Sequence, residues 1–182
     1  MKKVLLAITG VIFLSAMLFA QTPGDTEALV SSDVHVFIKT AEIGKVLKTV
    51  NFMVNNLMDQ QTRSQVLAER DQFRDKTGID LLNEASLNKS GIDTSRPISV
   101  AVFEDVEYRS VVLVFIPIFN EKEFPAKFNE LLKKTSGDSG NFQTPLKATY
   151  NGIVIYQVQQ DLFTAAFNGY FLMGSTAEVI KK

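Results

Sequence analysis

A serine hydroxyl becomes a nucleophile only when a base takes its proton. This chain offers Ser139, set in Ser136-Gly137-Asp138-Ser139-Gly140, and a single histidine, His35, to serve as that base. Together they would make a serine hydrolase. His35 as a metal ligand has no second histidine or thiolate at ligand spacing. Two acidic sets could instead hold a cation or trade protons: Asp80 with Asp93, and Glu104, Asp105 and Glu107. The second set lacks the glycine and the length of an EF-hand loop. With no cysteine in the chain, thiolate zinc sites and thiol nucleophiles are excluded.

Each set also has a plain structural reading. The run around Ser139 resembles the Gly-Asp-Ser-Gly of trypsin-like proteases and the Gly-Asp-Ser of one lipase and esterase group. Its setting departs from both. His35 lies in Asp33-Val34-His35-Val36, not Ala-Ala-His-Cys, and the serine follows a helix late in the chain. Small polar residues between a helix and a strand make a loop without any catalytic role. Thr77-Gly78-Ile79-Asp80 and Ser90-Gly91-Ile92-Asp93 read as helix stops, each glycine taking the left-handed conformation. Asp80 is then expected to cap a short helical segment, Leu81 to Leu87, and Asp93 to open a turn. Glu104 to Glu107 reads as an acidic hairpin turn, and His35 as a surface side chain. Asn88-Lys89-Ser90 is a sequon only in a glycosylating host. No phosphate loop, dinucleotide fingerprint, zincin motif or Gly-x-Ser-x-Gly occurs. The expectation is therefore a protein that is not an enzyme, with no catalytic, cofactor-binding or metal residues and no cofactor.

The elements that would position these residues follow from periodicity. Val34, Val36 and Ile38 alternate with polar neighbours, as in a half-buried strand. Ile43, Val46, Leu47, Val50, Val54, Leu57 and Met58 form one helical face. Polar Asp59 to Gln65 interrupts it, and Val66, Leu67, Arg70 and Phe73 mark a second helix. Ile98–Phe103 and Tyr108–Pro117 read as strands, and the run from Val111 to Ile116 is apolar on both faces, as in a central strand. Asn120 and Glu123 have capping-box spacing ahead of Phe124, Phe128, Leu131 and Leu132. Asn151-Gly152 and Asn168-Gly169 each sit between apolar runs, the strongest short hairpin signal. Ser175 and Thr176 open a last short helix. The fold expected is α+β: an antiparallel β-meander sheet of six or seven strands, with helices packed mainly on one face.

The N-terminus bears on where the protein works. Lys2 and Lys3 precede an apolar run from Val4 to Phe19, and Ala20 offers a small residue for cleavage. This is the pattern of a secretory signal peptide. The chain then divides into a signal peptide over 1–20, a linker over 21–32 and a single α+β domain over 33–182. The expected location is periplasmic or extracellular, with membrane attachment only if the signal stays uncleaved. Losing Lys2 and Lys3 changes 19 basic against 20 acidic residues to 17 against 20, a net charge of −3. That balance, without a basic cluster, argues against a nucleic-acid partner. The chain also stops just after its last helix begins. A truncated domain is expected, with either a protein partner or a missing C-terminal half covering the sheet.

Thr77-Gly-Ile-Asp-Leu-Leu82, Ser90-Gly-Ile-Asp-Thr-Ser-Arg-Pro97 and Ile98-Ser-Val-Ala-Val102 resemble a bacterial extracytoplasmic family of unknown function (domain-of-unknown-function serial number thirty-three fifty-two). Phe115-Ile-Pro-Ile-Phe-Asn120, Tyr150-Asn-Gly-Ile153 and Gly169-Tyr-Phe-Leu-Met-Gly-Ser175 fit the same resemblance, which spans Ala28 to Lys182. The resemblance implies a longer exported protein and brings no catalytic residues. The sequence reading is an exported, non-catalytic domain for ligand or protein binding, or an envelope structural module. Two alternatives stand beside it: a periplasmic carrier of an apolar ligand, and a serine hydrolase using Ser139. Export with cleavage after Ala20 leaves a chain that begins at Gln21. Intact mass of the protein recovered outside the cytoplasm checks this, and a chain retained in the membrane from Met1 contradicts it.

Overall fold

Asn151-Gly152 and Asn168-Gly169 close hairpins because both residues of each pair take positive φ: 47° and 81°, then 52° and 75°. Those angles match the right-handed twist of paired strands. The hairpins belong to a computed structural model that describes Thr26 and residues 29–104, 107, 109–136 and 146–181. The signal segment, the loop holding Ser139, Asp105, Tyr108 and Lys182 lie outside the described residues.

The seven strands are β1 (Val36–Glu42), β2 (Pro97–Glu104), β3 (Ser110–Pro117), β4 (Leu146–Tyr150), β5 (Ile153–Gln159), β6 (Leu162–Phe167) and β7 (Tyr170–Gly174). They form one antiparallel sheet in the order β1-β2-β3-β7-β6-β5-β4. The helices are α1 (Ile43–Asn56), α2 (Gln60–Thr77), α3 (Glu84–Ser90), α4 (Phe124–Ser136) and α5 (Ala177–Ile180). An α+β fold with an antiparallel sheet is thus observed. The chain divides into two compact units. One is Thr40–Pro97; the other, among the described residues, holds 26–39 and 98–181.

The helical unit is an excursion between the first two strands. The N–H groups of Ile43 and Gly44 begin α1 without a side-chain cap and donate to the carbonyls of Arg96 and Thr94, at 3.1 and 2.8 Å. Two donors that a helix N-terminus leaves unpaired are satisfied in this way. Ile43, Val46, Leu47 and Val54 are buried as the stripe requires, but Leu57 is exposed past the end of the helix. The polar stretch after it starts α2 earlier than apolar spacing suggests, because Asp59 is its N-cap and accepts from Thr62 N–H at 3.0 Å. Gly78 and Gly91 end α2 and α3 at φ 77° and 108°, as expected. Asp80 does not cap α3. Its carboxylate accepts from Leu82 N–H in a local turn, and Asn83 caps the helix through Ser86 N–H at 2.9 Å.

In the sheet unit, consecutive residues point to opposite faces. Phe103, Leu113, Phe115, Tyr170, Leu172 and Ala165 share one face and one core with Val179 and Ile180 of α5. Phe171 points the other way, its ring centroid 5.0 Å from Phe124 and 4.7 Å from Phe128 of α4. Within this unit α4 and α5 therefore take opposite faces, which covers β7 on both sides. The segment expected as a linker contributes to the same core: Leu29 and Val30 pack against it, and buried Thr26 hydrogen-bonds Ser99 at 3.0 Å. The first strand begins later than its alternation suggests. Val34 precedes it and packs on the core, and within the strand Phe37 packs there while Val36 faces out. The phase of β1 is therefore shifted by one residue, which exchanges its faces.

Gly174 marks the tightest approach of α5. A Cβ there would lie 2.7 Å from Val179 Cγ1 and 3.0 Å from Ile180 Cγ1. Gly174→Ala is expected to cost about 1–3 kcal/mol through overpacking. Urea unfolding checks this, and an unchanged midpoint contradicts it.

Candidate functional site

Among the described residues, one pair of the candidate chemical residues meets, and Ser139 and Asp105 lie outside them. His35 Nδ1 lies 3.7 Å from Glu104 Oε2, and both side chains are more than one-third exposed. His35 N–H donates to the carbonyl of Val102 at 2.9 Å, which places the ring beside the end of β2. Sequence spacing gave no sign of this pair, because strand pairing joins the two residues across the whole helical unit. Glu107 pairs with Arg109 at 3.1 Å across the β2–β3 turn. Asp93 accepts from Ser95 N–H and Oγ–H at 3.1 and 2.6 Å, which is a turn. Asp80 and Asp93 each serve their own loop. Among the described residues no group of three or more His, Cys, Asp or Glu side chains could hold a metal ion. No helix of the described residues is long and apolar enough to cross a membrane.

Two carboxyls are held below the usual range, both on the surface of α2. Asp59 is lowered first by the Thr62 hydroxyl and then by the Thr62 N–H. Asp71 is lowered by hydrogen bonding from Arg70, with Arg74 adding attraction. Caps and neighbouring ion pairs explain both, so neither marks a reactive centre.

The feature that local structure does not explain is β4. Every residue of Leu146–Tyr150 is exposed, although three of the five are apolar. Leu146 is 70% exposed and Tyr150 41%. Register places Leu146, Ala148 and Tyr150 on the core face, opposite Gln157, Ile155 and Ile153. Beyond them α5 supplies the far wall of a groove of about 210 Å³, floored by Ile155 and Phe163 and bounded by Ala177 and Lys181. Lys181 Nζ lies 5.4 Å from the Tyr150 ring centroid and 2.6 Å from Glu178 Oε1. The cation over the ring ties the edge strand to α5, a contact worth about 0.5–1 kcal/mol when exposed.

The main chain of β4 has a defined direction. The Asn151-Gly152 turn makes Tyr150 and Ile153 a hydrogen-bonded pair, so Tyr150, Ala148 and Leu146 turn their N–H and C=O groups toward β5. Those of Lys147 and Thr149 point out of the sheet, and among the described residues β4 has no strand on that side. An apolar shelf beside an open strand edge is suited to receiving an extended chain. No protein-family model, curated protein or solved structure matches this chain.

Leu146→Ser is expected to change stability by no more than about 0.5 kcal/mol, whereas Leu172→Ala on the same face costs about 2–5 kcal/mol. Paired urea titrations check this. Equal losses would make Leu146 part of the core and remove it from the site.

Proposed function

We propose that this chain is an exported, non-catalytic binding module that takes a polypeptide strand at the β4 edge. The observation that carries the reading is Leu146, 70% exposed on a strand that, among the described residues, has no neighbour on its outer side. Apolar surface next to unpaired main chain gives a bound strand both burial and hydrogen bonds. The N-terminal signal pattern supports export, and the resemblance to an extracytoplasmic family agrees with it.

The carrier reading would draw on the same groove. Its volume of about 210 Å³ falls below the range of roughly 300–1,000 Å³ typical of small-molecule sites. The hydrolase reading draws on His35 and Glu104, since a base oriented by an acid is half of a nucleophilic triad. Here both are more than one-third exposed, so water reaches the pair and, among the described residues, nothing buries it as a reactive centre.

The test is a photo-crosslinking residue at position 146 in the full chain, expressed in cells, with position 61 on α2 as the control. Adducts with a polypeptide, formed at 146 and absent at 61, are expected. Equal or absent adducts at both positions overturn the binding site. Labelling by a serine-directed fluorophosphonate that Ser139→Ala abolishes overturns the non-catalytic half.

A further inference from the structure

The outer edge of β4 is complementary to itself. Leu146-Lys147-Ala148-Thr149-Tyr150 alternates apolar and polar and keeps that pattern when read in either direction. A two-fold axis through Ala148 sets Leu146 of one copy opposite the second copy's Tyr150, and Lys147 opposite the second copy's Thr149. We propose that β4 pairs antiparallel with β4 of a second copy about this axis, joining two sheets into one. The inference rests on the binding-module reading and names its partner.

Three observations select this register. The outward main-chain groups belong to Lys147 and Thr149, and only a pairing that matches those two residues uses all of them. Each copy's Lys147 and Thr149 then exchange both hydrogen bonds with their opposites, four bonds in all. Ala148 meets its twin as a non-hydrogen-bonded pair, the closer of the two pair types, with Cα atoms about 4.5 Å apart. The smallest side chain of the strand sits where space is least. An axis through Lys147 would instead put two ammonium groups face to face, which strand pairing disfavours. An axis through Thr149 would run the pairing into the turn at Asn151, whose φ is 47°. About Ala148, the apolar shelves of the two copies meet on one face, with each Leu146 against a tyrosine ring.

The chain has no cysteine, so single introduced thiols report the register directly. Under mild oxidation of the purified chain, Ala148→Cys is expected to give a disulfide dimer. Lys147→Cys and Thr149→Cys are not, because each is offset from its twin by two residues along the strand, about 7 Å or more, beyond disulfide reach. Sedimentation velocity of the unsubstituted chain is expected to show a concentration-dependent dimer. Thr149→Pro removes an outward N–H and leaves the bonds to β5, so it should raise the dimer Kd about tenfold or more. Circular dichroism confirms that the variant folds. A monomer throughout the concentration series, or equal crosslinking at 147, 148 and 149, overturns the proposal. A monomer that still forms polypeptide adducts from position 146 overturns the second copy as partner and leaves the binding module standing.

Discussion

The pairing of β3 with β7 holds the sheet unit together. Five residue pairs join them, from Leu113 opposite Gly174 to Pro117 opposite Tyr170. The strands are far apart in sequence, with α4 and three other strands between them. Without this pairing the β2–β3 hairpin and the β4–β7 meander would be separate pieces, each too small to bury its apolar face. The entropy of closing so long a segment is offset by what the pairing brings into contact. Phe115 and Tyr170 meet edge to face at 6.2 Å, and Leu172 packs with Val179 and Ile180. The chain leaving β7 extends the seam. Ser175 N–H donates to Val112 O, and Val112 N–H donates back to Ser175 Oγ, both at 3.1 Å.

That seam explains why β7 is buried at nearly every position while obeying strand alternation. Leu172 faces α5 and Phe171 faces α4, so adjacent residues are both apolar for different reasons. The same logic lies behind the apolar run from Val111 to Ile116, although its outer face is less evenly covered. Burial then declines across the sheet through β6 and β5 to β4, which is exposed throughout. A helix of four residues reaches only a few strands. Among the described residues, the side of the sheet beyond its reach keeps apolar residues exposed.

Much of this fold was legible because its signals are local. Asn-Gly turns need only two residues to specify positive φ, and all four of those residues adopt it. Gly78 and Gly91 are legible for the same reason. Long-range features left no such trace. Nothing near Thr26 marks it as the buried partner of Ser99, so its segment resembled a linker. Val36 and Phe37 are both apolar, and alternation alone could not say which faces in. Asp80 and Asn83 are both good caps, and the choice between them depends on where the chain has room to turn. His35 and Glu104 meet only because β1 and β2 are neighbours.

The candidate site was illegible for a more general reason. Leu146 to Tyr150 has the same alternation as the strands around it, and alternation reports two faces without saying whether either is covered. Coverage is a property of neighbours in space. A strand whose inner-face residues are apolar but uncovered sits above its free-energy minimum by the burial it lacks, at roughly 25 cal/mol for each Å² left in water. Selection for monomer stability alone would favour polar residues there, or a charge on each side of the edge. Lys147 is the single charge in β4, and register sets it on the strand face opposite that of Leu146, Ala148 and Tyr150. On the groove side the charge nearest the edge, among the described residues, is Lys181, whose Nζ lies 5.4 Å from the Tyr150 ring centroid. Among the described residues the edge has an apolar face and outward main-chain groups with no neighbouring strand, which is what supports the proposal that a second polypeptide completes its burial.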